Sequence, residues 1–162
     1  MKLSDGVEWA AHVTTLLAAL GPDQSLPAAK LAEYHVVPGA YLAKHLQALR
    51  RAGLLESVQG PGGGYRLAKP AADITLLDIV EAIDGTESAF VCTEVRQRGP
   101  AACPPEEYRV PCGIHRAMNR ADRAWRASLR DVTVADLFSG VVSDAPKAGL
   151  VAGARWIQEA MR

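Results

Sequence analysis

The segment that decides the fold runs from residue 37 to residue 67 and reads VPGAYLAKHLQALRRAGLLESVQGPGGGYRL. Its first half carries leucines at helical spacing and then Gly53 at a C-cap position, which predicts a helix over about residues 39–52. Its second half predicts short strands at residues 54–58 and 65–67, joined by a glycine-rich turn. The segment therefore predicts a helix that leads directly into a glycine-rich hairpin.

Two further helices precede this segment. Apolar residues at helical spacing predict a helix over residues 3–20, which is ended by the Gly-Pro pair that follows. A second helix begins at Pro27 and continues to about His35, before a short turn at residues 36–39. Three short helices followed by a hairpin are typical of a winged helix-turn-helix. We therefore predict a mainly α fold with a small β-hairpin.

A winged helix-turn-helix binds double-stranded DNA by placing its second motif helix in the major groove, where N-terminal side chains reach base edges. The wing brings backbone close to phosphate, which glycine permits, and a nearby cation supplies a contact. A glycine-rich hairpin without a ligand is the alternative, but the ordered combination favours DNA binding. The candidate DNA-binding residues are Ala40, Tyr41, Lys44 and His45 on the helix, and Gly62, Gly63 and Arg66 on the wing.

Beyond the wing, the pattern changes to a long loop and a long helix. Thr75 and Asp78 have the spacing of a capping box and start a fourth helix. Residues 86–111 contain several prolines and are predicted to form a loop, and loops of this length tend to be functional. A helix over residues 112–130 follows, with a short helix around residues 133–138 after it.

The chain is expected to divide into four parts. The apolar stripe of the long helix is broader than a small winged domain can cover, which predicts pairing with a second copy; packing within its own chain is the alternative. The four parts are a DNA-binding domain (1–85), a loop (86–111), a dimerisation helix region (112–138) and a C-terminal tail with a short helix (139–162).

Composition excludes several other classes of protein. The 162 residues are 49% apolar and 22% charged, which is ordinary for a folded chain. We expect no membrane span, because no run reaches about 18 apolar residues, and no signal peptide. Three cysteines are too few for a disulfide framework, so we expect a reducing cytoplasm. The sequence has no phosphate loop, nucleophile elbow or paired-cysteine motif, so we expect no enzyme.

The equal numbers of basic and acidic residues, 18 of each, conceal an uneven distribution. Residues 30–69 carry six basic and two acidic side chains, whereas residues 71–162 carry eleven basic and thirteen acidic ones. Binding depends on local potential rather than on the total charge. A neutral chain is therefore compatible with DNA binding by its basic segment.

All three cysteines, Cys92, Cys103 and Cys112, lie in or directly after the long loop. Free cysteines are usually buried small hydrophobes, so clustering in a polar loop indicates metal or redox chemistry. Iron–sulfur clusters are held by thiolates, and imidazole can replace a thiolate at an iron. Glu8 and His12 are four residues apart and project from one face of the first helix. An exposed Glu–His helical pair is the alternative interpretation of those two residues.

Several stretches resemble the IscR/NsrR/RsrR-type regulators of the Rrf2 family. The resemblance covers roughly residues 1–138 and implies a homodimeric winged-helix transcription factor, often carrying an iron–sulfur cluster. Gly39 stands where the family commonly has serine, and the Cys-x10-Cys-x8-Cys spacing differs from its common three-cysteine pattern. Residues 37–44, 49–55 and 60–67 carry the family resemblance, and residues 1–4, 6–10, 90–94, 96–100 and 111–112 are most similar to the redox-sensing RsrR branch.

Similarity to that branch implies a 2Fe–2S cluster shared across the dimer, with residues 86–111 as the cluster-binding loop. The ligands that it implies are Cys92 and Cys112 from one chain, and Glu8 and His12 from the other. Cys103 and His115 are reserve ligands, since His115 lies one helical turn from Cys112. Trp9 lies beside Glu8 and is a candidate for relaying the state of the cluster to the DNA-binding helices; simple packing is the alternative.

The resulting prediction is a homodimeric regulator of palindromic promoter DNA. Its DNA affinity is expected to follow the redox state of the cluster, because one electron changes the charge of a site between the subunits. The alternatives are a regulator that senses nitric oxide or iron–sulfur supply, and one that uses thiol oxidation or zinc without a cluster.

Overall fold

The computed structural model describes residues 3–60 and 62–161. Met1, Lys2, Pro61 and Arg162 lie outside the described residues, together with the parts of the predictions that concern them. The described residues confirm the mainly helical fold with one small hairpin. They form α1 (Asp5–Leu17), α2 (Ala28–His35), α3 (Gly39–Arg51), β1 (Leu55–Val58), β2 (Gly64–Leu67), α4 (Leu76–Asp84), α5 (Gly113–Arg130), α6 (Val134–Asp144) and α7 (Lys147–Ala160).

The hydrophobic core lies among the first three helices and is built from aliphatic side chains. Val13 of α1, Leu31 of α2 and Leu46 of α3 are completely buried. Ile79 of α4 and Val134 of α6 belong to the same cluster, so helices from both halves of the chain close one core. Burial of such side chains contributes about 1.5–3 kcal/mol each, which fixes the orientation of α3.

The wing is attached to the helices as well as to itself. β1 and β2 are antiparallel, with Leu55 opposite Leu67. Tyr65 of β2 also exchanges backbone hydrogen bonds with Leu26, between α1 and α2, at N···O distances of 2.8 and 3.1 Å. A Cβ atom on Gly64 would lie 2.2 Å from the Leu26 carbonyl, so only glycine permits this approach.

Two capping boxes start the helices that follow the wing. The Thr75 hydroxyl accepts the Asp78 N–H at 3.1 Å, and the Asp78 carboxylate accepts the Thr75 N–H at 2.8 Å. Thr133 and Asp136 form the same arrangement at α6. The predicted capping box at Thr75 is confirmed, and a backbone bridge between Thr75 and Thr133 ties the starts of α4 and α6 together.

The C-terminal part is more helical than its sequence predicts. The helix predicted to end near Phe138 continues to Asp144, because α6 packs along α1 and this contact outweighs the low helix propensity of Gly140. The predicted tail with a short helix is the 14-residue α7. Trp156 of α7 packs against the core cluster. None of the helices in the described part of the chain is long and apolar enough to cross a bilayer.

Candidate functional site

The N-terminal end of α3 presents an exposed surface for a ligand. Ala40, Tyr41 and Lys44 are all exposed, and Tyr41 exposes 64% of its surface. Pro38 occupies the N-cap and, in the described structure, provides no side-chain hydrogen bond to the helix. The Tyr41 N–H donates to the Pro38 carbonyl, whereas the N–H groups of Gly39 and Ala40 have no partner among the described residues and can bind an anion such as a phosphate, which helix N-termini favour.

His45 differs from the other residues predicted on this helix, because its side chain faces α1. A Cβ atom on Gly6 would lie 2.3 Å from the His45 ring, so the ring occupies the space that glycine leaves. The Trp9 indole meets the same ring edge to face, with centroids 5.9 Å apart. His45 thus joins α3 to α1 rather than to the predicted DNA surface.

The wing tip depends on glycine in the way that the sequence predicts. Gly62 adopts a positive φ of 79°, and a Cβ atom on Gly63 would lie 2.4 Å from the Val58 carbonyl oxygen. The buried Ser25 hydroxyl donates a hydrogen bond of 3.2 Å to the Gly62 carbonyl. The backbone at Gly62 and Gly63 is therefore constrained, and neither residue places a side chain between it and an approaching phosphate backbone.

Arg66, the cation predicted to bind phosphate from the wing, is engaged within the chain. Its Nε donates to the Glu56 carboxylate at 2.5 Å, and its Nη1 donates to the Pro22 carbonyl at 2.8 Å. These contacts join β2 to β1 and to the end of the first helical segment. In this structure Arg66 positions the wing, whereas its predicted direct contact with DNA would require these bonds to open.

Two of the three cysteines converge on one carboxylate. Glu94 accepts a hydrogen bond from the Cys92 thiol at 3.7 Å. The Arg96 guanidinium donates to Glu94 at 2.7 Å and to the Val110 carbonyl at 2.7 Å, which closes the loop around the two thiols. Arg96 lowers the pKa of the Glu94 carboxyl group, and the backbone of Cys112 contributes to lowering it, so this carboxylate remains charged. Glu94 itself has a left-handed backbone, with φ of 49°.

The thiol of Cys112 is set up to lose its proton. Cys112 occupies the N-cap of α5, and the backbone N–H groups of His115 and Ile114 lower its pKa, with a further contribution from the charge of Arg96. A helix N-terminus and a guanidinium favour the thiolate, which is the form that binds metals and reacts with oxidants. The surroundings of Cys112 therefore favour a reactive or metal-binding thiolate.

The two reserve ligands lie in different surroundings. The side chain of Cys103 is exposed, and Tyr108 holds its backbone by accepting the N–H at 3.0 Å. His115 lines a cleft of about 390 Å³ together with Cys92. Asn119 hydrogen-bonds to Nε2 of His115 at 3.0 Å, while the buried Nδ1 has no partner among the described residues. His115 is thus the closer of the two to the converging thiols.

Glu8 and His12 are exposed on α1 and are not brought to the cysteines of the same chain. Neither side chain makes a hydrogen bond or ion pair with residues 3–60 or 62–161. No group of three or more Cys, His, Asp or Glu side chains suited to a metal occurs within the described part of one chain. A complete set of four ligands therefore needs a second molecule.

The apolar stripe of α5 is uncovered in the single chain. None of the residues of this helix is buried, and Ile114 and Met118 expose 67% and 42% of their surfaces. Its inner side is held to α4 by Arg126, which donates to Glu81 at 2.7 Å and to Asp122 at 2.9 Å. The predicted packing partner of the stripe is not found within the described chain.

Comparison with known proteins identifies the fold. The sequence pattern of the Rrf2 family, described as iron-dependent transcriptional regulator, matches residues 3–140. The chain belongs to the Rrf2 family. It is 36% identical over 138 residues to Protein aau3 of Rhizobium meliloti, which covers 85% of this chain and 84% of that protein. It is 30% identical over 138 residues to the HTH-type transcriptional regulator IscR of Vibrio atlanticus, covering 85% and 75% of the two chains.

A solved Rrf2-like structure shares the architecture. The oxidized form of Staphylococcus aureus CymR superposes with a TM-score of 0.62 at 25% identity, covering 85% of this chain and 96% of that one. This Rrf2 protein is accordingly a DNA-binding transcriptional regulator with a winged helix-turn-helix. The exposed start of α3 and the wing are its candidate DNA surface.

Three residues that shape the sites of this Rrf2 protein are not among the predicted site residues. Ser25 holds the wing tip, and Glu94 and Arg96 frame the two thiols. Glu94 and Arg96 follow Cys92 by two and four residues, and this local charge pair was the available signal. Ser25 lies 37 residues from Gly62, so no local pattern connects the two.

Proposed function

We propose that this Rrf2 protein acts as a homodimer whose affinity for promoter DNA changes with the redox state of a 2Fe–2S cluster at the subunit interface. The observation that carries the proposal is the presence of two incomplete sets of candidate ligands in one chain. Cys92 and Cys112 converge on Glu94 but belong to no group of three or more candidate metal ligands within the described chain, while Glu8 and His12 stand exposed on α1 and make no hydrogen bond or ion pair with the described residues.

The chemistry of the donor set fits such a cluster. Iron–sulfur clusters require thiolates, and imidazole is an established replacement at one iron. The lowered pKa of Cys112 favours the thiolate, and the exposed His12 imidazole offers a nitrogen donor. We infer that Cys92 and Cys112 of one chain and Glu8 and His12 of the other would hold the cluster. When bound, it would supply a one-electron change of charge.

Dimer formation is proposed through α5. Its exposed apolar stripe, which includes Ile114 and Met118, matches the self-complementary surface that a two-fold interface requires. A second copy would bury the stripe and carry a second exposed α3. Two such helices address half-sites separated by about 34–36 Å, one turn of DNA, which is why we propose a palindromic operator.

The route from the ligands to DNA runs through α1. Glu8 and His12 project from the exposed side of α1, whereas Trp9 and Gly6 of the same helix hold the His45 ring of α3. A change of charge on the exposed side of α1 would shift this helix. Because its opposite side holds His45 of α3, α3 would move with it. Trp9 is thus proposed as the relay, and α1 as the element that both sites bias.

Spectroscopy and DNA binding together test the proposal. The full chain is purified without oxygen and analysed for iron, visible absorbance and EPR, before and after one-electron reduction. We expect a 2Fe–2S spectrum, which Cys92→Ala, Cys112→Ala and His12→Ala abolish or alter. Cys103→Ala and His115→Ala are the matched controls and should retain it. A colourless, iron-free protein, or loss of the cluster in Cys103→Ala alone, contradicts the ligand set.

A gel-shift titration of oxidised and reduced protein then measures the switch. We expect DNA affinities that differ by about 5–150-fold, the usual range of coupling between two sites. The variant Gly6→Ala displaces the His45 ring while leaving the ligands in place, so it should retain the spectrum and lose most of that difference. Equal affinities of the two redox states in the wild-type protein would refute the switch.

Oxidation of Cys112 itself, without a cluster, is the second candidate. The lowered pKa of this thiol and the fold shared with the oxidized form of CymR favour it. In that case peroxide would change the DNA affinity of iron-free protein, and a thiol reductant would restore it. Cys112→Ser would remove this response, whereas His12→Ala would leave it intact, which distinguishes the two candidates.

A further inference from the structure

A cavity of about 550 Å³ lies between α1, α2, α6 and α7, away from the cysteines. Its walls are mainly aliphatic and aromatic, and include Leu16, Phe138, Val141, Leu150 and Ile157. This volume lies within the range of about 300–1,000 Å³ that small-molecule sites occupy. Apart from His12, none of the residues lining it is among those proposed to bind the cluster, to contact DNA or to relay the signal.

One end of the cavity is polar. His35 lies there with Tyr34, and its buried Nε2 atom has no hydrogen-bond partner among the described residues. The His12 ring lies beside it, with the two ring centroids 5.9 Å apart. A buried nitrogen without a partner costs free energy, and a ligand that reaches it recovers that cost.

The residues that line the cavity indicate the charge and the shape of its ligand. No Lys, Arg, Asp or Glu lines the cavity in the described chain, and a charged ligand would lose its hydration without a counter-charge. A hydroxyl group both donates and accepts, so it matches His35 Nε2 whether or not that nitrogen carries a hydrogen. Phe138, Tyr34 and His35 supply aromatic surfaces, which favour an aromatic ligand at offset or edge-to-face geometry.

We propose that this cavity binds a neutral aromatic small molecule that carries one hydroxyl group. The aromatic ring lies between α1, α6 and α7, and the hydroxyl hydrogen-bonds to His35 Nε2. The site is adjacent to the DNA-binding motif, since His35 ends α2 and α3 begins at Gly39. The proposal does not depend on the cluster, because it rests on this cavity alone.

Isothermal titration calorimetry of the full chain with three probes tests the ligand class. We expect 2-naphthol to bind once per chain and roughly fivefold more tightly than naphthalene, because of one hydrogen bond. The anion 2-naphthoate should bind at least about tenfold more weakly than 2-naphthol, since its charge is buried without a partner. Absence of binding by 2-naphthol, or tighter binding by the anion, would overturn the proposal.

Variants locate the probe. Val142→Trp and Gly149→Leu fill the cavity and should abolish binding of 2-naphthol; no described atom lies within 4 Å of a Cβ at Gly149, so this variant is expected to fold. Val151→Trp is the matched control, because Val151 is 69% exposed on α7 and lies outside the cavity. His35→Phe should retain naphthalene binding and lose the preference for 2-naphthol.

Two results would place the occupant elsewhere. Unchanged binding in both filling variants would mean that the probe binds outside the cavity. If the second protomer covers the cavity instead, 2-naphthol does not bind and Val142→Trp shifts the protein towards monomer in sedimentation velocity. Either result overturns the proposal, whatever the outcome of the cluster and DNA experiments.

Discussion

The winged helix-turn-helix (residues 1–85), called the head below, and the cysteine loop (residues 86–111) are held together by different kinds of contact. In the head, completely buried leucines of α2 and α3 and glycine contacts at the wing fix the backbone, so its shape exists before any ligand arrives. In residues 86–111 no described residue is buried, and polar contacts around Glu94, Arg96 and Tyr108 hold the loop. Such exposed contacts contribute little stability each. The backbone of the head therefore has its shape before DNA binds, whereas the order of the cysteine loop depends on what binds to it.

Truncation of the core should show the contrast most strongly. Leu46→Ala removes a completely buried side chain of the head and should lower the free energy of unfolding by about 2–5 kcal/mol. Val91→Ala in the loop, where Val91 is 77% exposed, should change it by no more than about 0.5 kcal/mol. Urea denaturation of both variants measures the difference. Similar losses in the two would mean that the loop is as tightly packed as the head.

The glycine at the wing tip should give the next largest effect. Gly63→Ala forces a Cβ atom against the Val58 carbonyl, so we expect a loss of about 1–3 kcal/mol and weaker DNA binding. Gly140→Ala is the control, since no described atom lies within 4 Å of its Cβ and the helix should gain about 0.5–1 kcal/mol. Thermal denaturation and a gel shift report the two quantities. Wild-type DNA affinity in Gly63→Ala would contradict a preformed wing.

The capping boxes between the two regions should have smaller effects. Thr75→Ala and Thr133→Ala each remove a hydroxyl that accepts a helix N–H, which should cost about 1 kcal/mol in unfolding free energy. Ser139→Ala, on the exposed side of α6, serves as the control and should have almost no effect. If both threonine variants behave like the control, the boxes do not anchor α4 and α6.

The smallest expected effect is a shift in the pH at which the Cys112 thiol reacts. The N–H groups of His115 and Ile114 lower the pKa of Cys112 in the native chain, so its thiolate persists to lower pH than in the unfolded chain. We expect the midpoint of iodoacetamide alkylation, followed by mass spectrometry in iron-free protein, to lie at lower pH in the native state than in urea. A native midpoint at or above the unfolded one would show that the loop does not prepare this thiol.

Local pattern accounts for the parts of the molecule that were predicted correctly. The leucine spacing of α3, the glycines of the wing and the capping box at Thr75 each act over a few residues. The orientation of His45 was missed although its spacing held a signal, because it lies three residues after Leu42 and four before Leu49, beside the buried stripe. The space beside Gly6, 39 residues away in sequence, is what allows the His45 ring to face α1.

The remaining differences come from pairings that the sequence does not display. Arg66 faces Glu56 only once the strand register is known, so its basic charge alone suggested a phosphate contact. The extension of α6 and the formation of α7 arise from packing on the first helices, which outweighs local propensity. The pairing of ligands from two chains is still a prediction, since it depends on an interface between molecules.

The position of Cys112 at the N-cap of α5 has a further consequence. Helices usually begin with an oxygen of Ser, Thr, Asn or Asp that satisfies the first N–H groups, whereas this helix begins with Cys112, whose neutral thiol makes no capping hydrogen bond. A thiolate supplies negative charge at the positive end of the helix dipole, whereas a neutral thiol supplies almost none. Ionisation of this sulfur and ordering of the first turn of α5 therefore form a single equilibrium, in which each stabilises the other.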